Sequence, residues 1–170
     1  MARFYTVDVG TFRAVAVTDS VAQAMLTEYF ASRAETFPAA QGTYLKRPAA
    51  PGQFEPPHGV FLIVSDDSGA EPADAGCGGI RALAPSPSGA ARYEVKHVWV
   101  RPEFRGRGLG AELLAELEQR ARQFGAAEVV LDTNTSQAAA ARLYARSGYR
   151  EIAPYNDNPN ATTWYAKSLS

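Results

Sequence analysis

Hydrophobic and polar residues change period along this chain, and the changes mark out its elements. Tyr93 to Val100 alternates with the two-residue period of a half-buried strand. Farther on, Leu109, Leu113, Leu117 and Phe124 fall near helical spacing, with Glu112, Glu116 and Arg120 on other faces, and Gly125 is a natural stop. Earlier, Phe12 to Val17 reads as a strand. A helix follows it, opened by Ser20 and Gln23 as a capping box, with Ala22, Leu26, Tyr29 and Phe30 on one face. Gly59 to Ser65 and Ala75 to Leu83 read as a hairpin with a polar connection. Glu128 to Asp132 is a short buried strand, and Gln137 to Ser147 a helix halted by Gly148. Arg150 to Ala153 and Thr162 to Leu169 close the chain as strands. Phe37 to His58, rich in Pro, Gly and Ala, is a long loop, and long loops within compact domains are often functional.

The order β-α-loop-β-β-β-α-β-α-β-β predicts a single mixed α/β (α+β) domain over residues 1–170. Its sheet of about six to seven strands should be largely antiparallel with flanking helices. One parallel βαβ crossover should join the strand ending at Val100 to that ending at Asp132. With 170 residues, 17 basic and 18 acidic side chains and a net charge of −1, the chain lacks the dense basic surface of a nucleic-acid binder. Cys77 is the only cysteine and reads as a small buried thiol beside Gly76, Gly78 and Gly79. His58 and His97 are too far apart to give a zinc-ligand spacing. Val60 to Val64, the longest strongly apolar run, cannot span a bilayer, and no signal-peptide pattern is seen, so the expected compartment is the cytoplasm.

Candidate chemistry concentrates in Arg101 to Gly110, RPEFRGRGLG, between strand and helix. Backbone N–H groups are unpaired at a helix start, and the positive end of the helix dipole lies there, so such a turn attracts an anion. Gly106, Gly108 and Gly110 allow close backbone approach, while Arg105 and Arg107 add charge. Gly106-x-Gly108-x-x-Ala111 also fits the dinucleotide fingerprint, with Asp132 about twenty residues on. Against that reading, Arg101 to Arg105 separate the strand from the first glycine, and too little chain follows to complete a doubly wound sheet. No Gly-Lys-Ser/Thr follows, which excludes a Walker-type loop.

The block from Glu94 to Leu169 resembles the GNAT superfamily of acetyl-CoA-dependent N-acyltransferases. Val98-Trp99-Val100-x-Pro102 followed by Arg105-Gly106-Arg107-Gly108-Leu109-Gly110 is similar to its Arg/Gln-x-x-Gly-x-Gly/Ala pyrophosphate loop. Ala140, Leu143-Tyr144 and Gly148-Tyr149 resemble its A-x-x-LY-x-x-x-G-aromatic helix. Tyr155-Asn156-Asp157-Asn158-Pro159 through Trp164, Tyr165 and Lys167 resembles the ending of a bacterial, small-molecule-type subgroup, as does Gly76-Cys77-Gly78-Gly79-Ile80-Arg81. The resemblance implies acetyl-CoA as cosubstrate and CoA as product, bound by Val98, Trp99, Val100, Arg105, Gly106, Arg107, Gly108, Leu109, Gly110, Ala111, Gln137 and Tyr144. Gln137 is a departure, since the family often has Asn there; Asn134 is a second source of that amide.

Amide formation requires a deprotonated amine, and a lysine-like amine with pKa about 10.4 is neutral in only about one molecule in a few thousand at pH 7. Glu94 is the first candidate for a general base and His97 the second. Strand alternation puts Glu94, Lys96, Val98 and Val100 on one face and Tyr93, Val95, His97 and Trp99 on the other. The resemblance makes Tyr144 the general acid that protonates the departing thiolate. Acceptors expected are small-molecule amines, with amino acids and protein lysines left open. Tyr44, Lys46, Arg47 and Arg81 are candidate acceptor contacts; Asn156, Asn158 and Trp164 are candidates for the acceptor side or for an oligomer interface, such as that of a homodimer. The alternative is a catalytically weak acyl-CoA-binding sensor or interaction module.

Overall fold

The computed structural model describes residues 10–170. Seven strands form one sheet in the order β1-β2-β3-β4-β5-β7-β6: β1 (Gly10–Ala14), β2 (Gly59–Asp66), β3 (Ala73–Ala82), β4 (Arg92–Val100), β5 (Glu128–Thr133), β6 (Arg150–Ile152) and β7 (Thr163–Ser168). Every neighbouring pair is antiparallel except β4 and β5. The expected fold class, strand count and single parallel crossover are all present. β1 is shifted toward the N-terminus relative to the expected Phe12 to Val17.

Among the described residues three α-helices cover the sheet: α1 (Ser20–Thr36), α2 (Leu109–Gln123) and α3 (Ala138–Arg146). Leu109, Leu113, Leu114, Leu117 and Ala121 give α2 one apolar face, which packs on Val60, Leu62, Val64, Ile80 and Val95. On the opposite face, Ala22, Met25, Leu26 and Phe30 of α1 pack with Phe61, Ile63, Cys77 and Trp99. β2 alternates between these cores, which is why it reads as a continuous apolar run. The capping-box expectation is corrected. Asp19, not Ser20, caps α1, its carboxylate accepting from Val21 N at 2.9 Å and Ala22 N at 3.4 Å.

Two irregularities of β4 position the site. Parallel pairing with β5 covers only Arg92 to Glu94 against Glu128 to Val130, so the two strands part beyond Glu94. β5 continues paired to β7 as far as Thr133, while β4 continues paired only to β3. The second irregularity is a bulge against β3. Cys77 faces Trp99 and Gly79 faces Lys96, leaving Gly78 opposite both His97 and Val98. His97 takes φ +58°, a strained conformation for a residue with a Cβ. The extra residue reverses the alternation. Tyr93, Val95, Val98 and Val100 all serve the α2 core, whereas His97 and Trp99 turn to the α1 side. Glu94 and Lys96 lie opposite Arg81 and Gly79 on that same side, so the expected separation of His97 from Glu94 is corrected.

Candidate active site

Two cavities open where β4 and β5 part, and they share a wall. The first is a groove of about 430 Å³ running between the α2 start and α3. Val98, Trp99, Val100, Arg105, Gly106, Gly108, Leu109, Gly110, Ala111, Gln137 and Tyr144 line it, which is every expected cofactor-binding residue except Arg107. Among the described residues no side chain caps the N-terminus of α2, whose N-cap is Gly108 at φ +84°. A Cβ built on Gly106 or Gly108 would meet nothing within 4 Å, so the glycine loop borders open space. Its amides and the positive end of α2 make a cradle suited to a pyrophosphate. Arg105 lies over the Trp99 ring at 4.8 Å and donates from Nε to Val100 O at 2.9 Å. Arg107 instead turns to the buried Asp66 carboxylate at 2.5 Å and stacks on Phe104, which takes its side chain out of the groove lining. These residues fit an elongated cosubstrate with an anionic middle, such as acetyl-CoA.

The second cavity, of about 180 Å³, lies under the long loop. Its walls come from α1 (Tyr29, Phe30, Arg33), the loop (Tyr44, Arg47), β4 (Lys96, His97) and β5 with the chain after it (Asp132, Asn134). Asn156, Asn158 and Asn160 add the C-terminal turn. The loop is fastened above it: Leu45 N donates to Asn160 Oδ1 at 2.9 Å, and Asn160 Nδ2 donates back to Leu45 O at 2.7 Å. Asn134 Nδ2 donates to Gln41 Oε1 at 2.7 Å. Asn134 therefore belongs to this cavity and not to the cofactor groove. Asp132 accepts from Lys96 Nζ at 2.8 Å, Asn156 Nδ2 at 2.7 Å and Asn158 Nδ2 at 3.2 Å. Burial opposes ionisation of Asp132, but Lys96 and the two amides outweigh it and hold the carboxyl below its ordinary range.

Arg33, Val98, Gln137 and Tyr144 line both cavities. Gln137 joins two helices there, accepting from Arg33 Nη1 at Oε1 and donating from Nε2 to Thr36 Oγ1 at 2.9 Å. Tyr144 is 6% exposed and packs against Tyr149 and Tyr165. Among the described residues no protein group hydrogen-bonds its hydroxyl. Burial pushes the phenol up to about 12, so it is protonated at neutral pH.

Glu94 is brought near this site but lines neither cavity, and it is 1% exposed. Its Oε1 accepts from Arg81 Nε at 2.9 Å and lies 3.5 Å from Lys96 Nζ; its Oε2 accepts from Tyr155 Oη at 2.7 Å. His97 does reach the acceptor cavity, packed among Tyr29, Phe30 and Phe54 at 5.4, 5.4 and 5.7 Å. Burial, aided by Lys96 and Arg81, lowers its pKa to about 3, so it is neutral at physiological pH. Cys77 is buried as expected, and burial pushes its thiol upward. Lys46 lies over the Phe30 ring at 5.2 Å and outside the cavity lining, and Trp164 holds Asn156 through a 2.8 Å bond.

Sequence reasoning missed Arg33, Lys96 and Asp132 as acceptor-side residues. The sequence carried one usable hint for Arg33, its place one turn beyond Tyr29 and Phe30 on the buried face of α1. Among the described residues no helix is long and apolar enough to cross a membrane, and no group of His, Cys, Asp and Glu is arranged to hold a metal.

Comparison with known proteins agrees with this fold. Residues 21–149 match the model of the acetyltransferase (GNAT) family. An uncharacterised N-acetyltransferase of Schizosaccharomyces pombe is 33% identical over 115 residues, spanning 68% of this chain and 66% of that protein, just under two thirds of it. A Klebsiella pneumoniae structure assigned to the acyl-CoA N-acyltransferases is 31% identical, covers 95% of this chain and 98% of its own, and superimposes with a TM-score of 0.70. A GNAT family acetyltransferase from Elizabethkingia anophelis, solved with acetyl-CoA bound, shares the fold at TM-score 0.61 and 14% identity, covering 96% of this chain and 100% of its own. The glycine cradle, the parted strands and the tyrosine between two cavities thus sit in a chain that belongs to the acetyltransferase (GNAT) family.

Proposed function

We propose that this protein is an N-acetyltransferase that moves an acetyl group from acetyl-CoA to a small primary amine by direct attack, with Tyr144 as general acid. The observation that carries the reading is the Tyr144 hydroxyl, protonated and without a partner among the described residues, at the wall between groove and acceptor cavity. Bound acetyl-CoA supplies an electrophilic thioester carbonyl. The glycine loop and α2 start hold the pyrophosphate, and Val98 to Val100, unpaired on the β5 side, offer backbone groups to the rest of the cosubstrate. The amine nitrogen bonds to the acetyl carbon, the carbon–sulfur bond breaks, and Tyr144 gives its proton to the departing thiolate. The proton lost by the amine returns to the phenolate through cavity water.

Glu94 enters this proposal as a positioning residue. With its oxygens taken by Arg81 and Tyr155, it fixes the cationic wall of the acceptor cavity and does not touch the amine. Arg33, Arg47, Arg81 and Lys96 face the cavity against Asp132 as its only lining carboxylate among the described residues. Like charges disfavour an ammonium, so this wall lowers the pKa of a bound amine and raises its nucleophilic fraction. The test is incubation with acetyl-CoA and a panel of primary amines, reading released thiol and N-acetyl product by mass spectrometry. One amide per thiol is expected. Thiol release without amide, or no release with any amine, overturns the reading.

A further inference from the structure

Among the described residues, Arg33 and Arg47 are the cations of the acceptor cavity that have no carboxylate partner. Lys96 is paired with Asp132 and Arg81 with Glu94. Among the described residues Arg33 bonds only the neutral Gln137 amide, and it lies over the Tyr29 ring at 5.0 Å. Among the described residues Arg47 makes no hydrogen bond or ion pair. Its place is nonetheless defined. The double hydrogen bond between Leu45 and Asn160 pins the loop two residues before it, and Pro48 restricts its backbone to extended conformations. A clamped loop thus brings Arg47, unpaired among the described residues, to the lining of a cavity of about 180 Å³, smaller than the roughly 300–1,000 Å³ typical of small-molecule sites.

From this arrangement we infer that the acceptor is a small amine bearing an oxyanion, a carboxylate or a phosphonate, which Arg47 binds with help from Arg33. The inference rests on the acetyltransferase reading and narrows its substrate class. A guanidinium presents a planar fork of N–H donors that pairs with two oxygens of one oxyanion. An acceptor with that group replaces the missing counter-charge, whereas a second ammonium would add to an uncompensated positive wall. The preference is electrostatic and partly exposed, so it weakens as salt rises.

The test uses a size-matched series that varies the end opposite the reacting amine: anionic in 3-aminopropanoate and aminomethylphosphonate, neutral in 3-aminopropanamide and a second ammonium in 1,3-diaminopropane. The expected result is kcat/KM at least tenfold higher for an anionic member than for the neutral one, with the diamine poorest. The better of carboxylate and phosphonate identifies the oxyanion. Arg47→Gln should cut the anionic-to-neutral ratio about tenfold, mainly through KM, while acetyl-CoA affinity is kept. Arg47→Lys should restore part of the ratio, and Arg150→Gln, on the exposed β6, should leave it unchanged. A diamine preferred over the anionic members, or a ratio unmoved in Arg47→Gln, overturns the inference and leaves the acetyltransferase reading intact. If no amine is acetylated, that reading fails by itself. Binding in the presence of CoA then decides the inference: 3-hydroxypropanoate should bind the protein and lose about tenfold in affinity in Arg47→Gln, and equal binding of 3-hydroxypropanamide overturns it.

Discussion

His97 should make the protein lose stability as pH falls below neutral. Its ring is enclosed by Tyr29, Phe30 and Phe54, its Nδ1 has no hydrogen-bond partner among the described residues, and burial together with Lys96 and Arg81 holds its folded-state pKa near 3. The unfolded chain titrates near 6.5, so between those values it binds a proton that the folded protein rejects. His97's contribution is therefore fully present above pH 6.5 and is lost as pH falls from there toward 3. At pH 5 the unfolded histidine is almost fully charged. At about 1.36 kcal/mol per pH unit over the roughly 1.5 units from 6.5 to 5, the loss relative to pH 7 is about 2 kcal/mol. That figure is set mainly by the unfolded pKa, so it holds for any folded value well below 5. The perturbation is His97→Asn, since Asn tolerates the positive φ and does not titrate. Urea unfolding of both proteins from pH 7 to pH 5 compares the two slopes, and carboxylates such as Asp132 cancel between them. Wild type should lose about 2 kcal/mol more than the variant over that range. Parallel curves would mean that His97 charges normally in the folded state and that its enclosure is not as described.

Two other changes probe the site. Gly108→Val places a β-branched side chain at φ +84° and projects it into the open cradle, so CoA affinity by calorimetry should fall at least tenfold, whereas unchanged affinity would move the pyrophosphate elsewhere. Glu94→Gln removes the carboxylate that Arg81 and Lys96 share, but Lys96 keeps Asp132 and Arg81 is partly exposed, so it should cost about 2 kcal/mol of unfolding free energy. Its turnover deficit should be the same at every pH, and a deficit that closes as pH rises would make Glu94 the general base.

The order of elements was legible because each apolar face repeats locally, as in the Leu109, Leu113, Leu117 stripe of α2. The groove was legible for the same reason, since a strand end, a glycine loop and a helix start are consecutive in the chain. The bulge at His97 was not legible, because period-two reading assumes that no residue is added and only the Gly78 register reveals the extra one. Nor did the sequence distinguish Arg105 from Arg107. They share one loop, and the carboxylate that diverts Arg107 is Asp66, far away at the end of β2. The acceptor cavity has no local signature. Arg33, Arg47, Lys96, Asp132 and Asn156 converge from five separate segments, and tertiary packing alone assembles them.

The most direct test of the account is the turnover of Tyr144→Phe beside its CoA affinity and its unfolding free energy. The substitution removes one hydroxyl that bonds to no group among the described residues and keeps the ring that packs on Tyr149 and Tyr165. No intramolecular hydrogen bond is lost, so stability and CoA affinity should stay near wild type. Loss of the proton donor to the leaving thiolate should lower turnover with acetyl-CoA by about tenfold to several hundredfold. Wild-type turnover, or stability and activity falling together, would contradict the account and make Tyr144 a core residue.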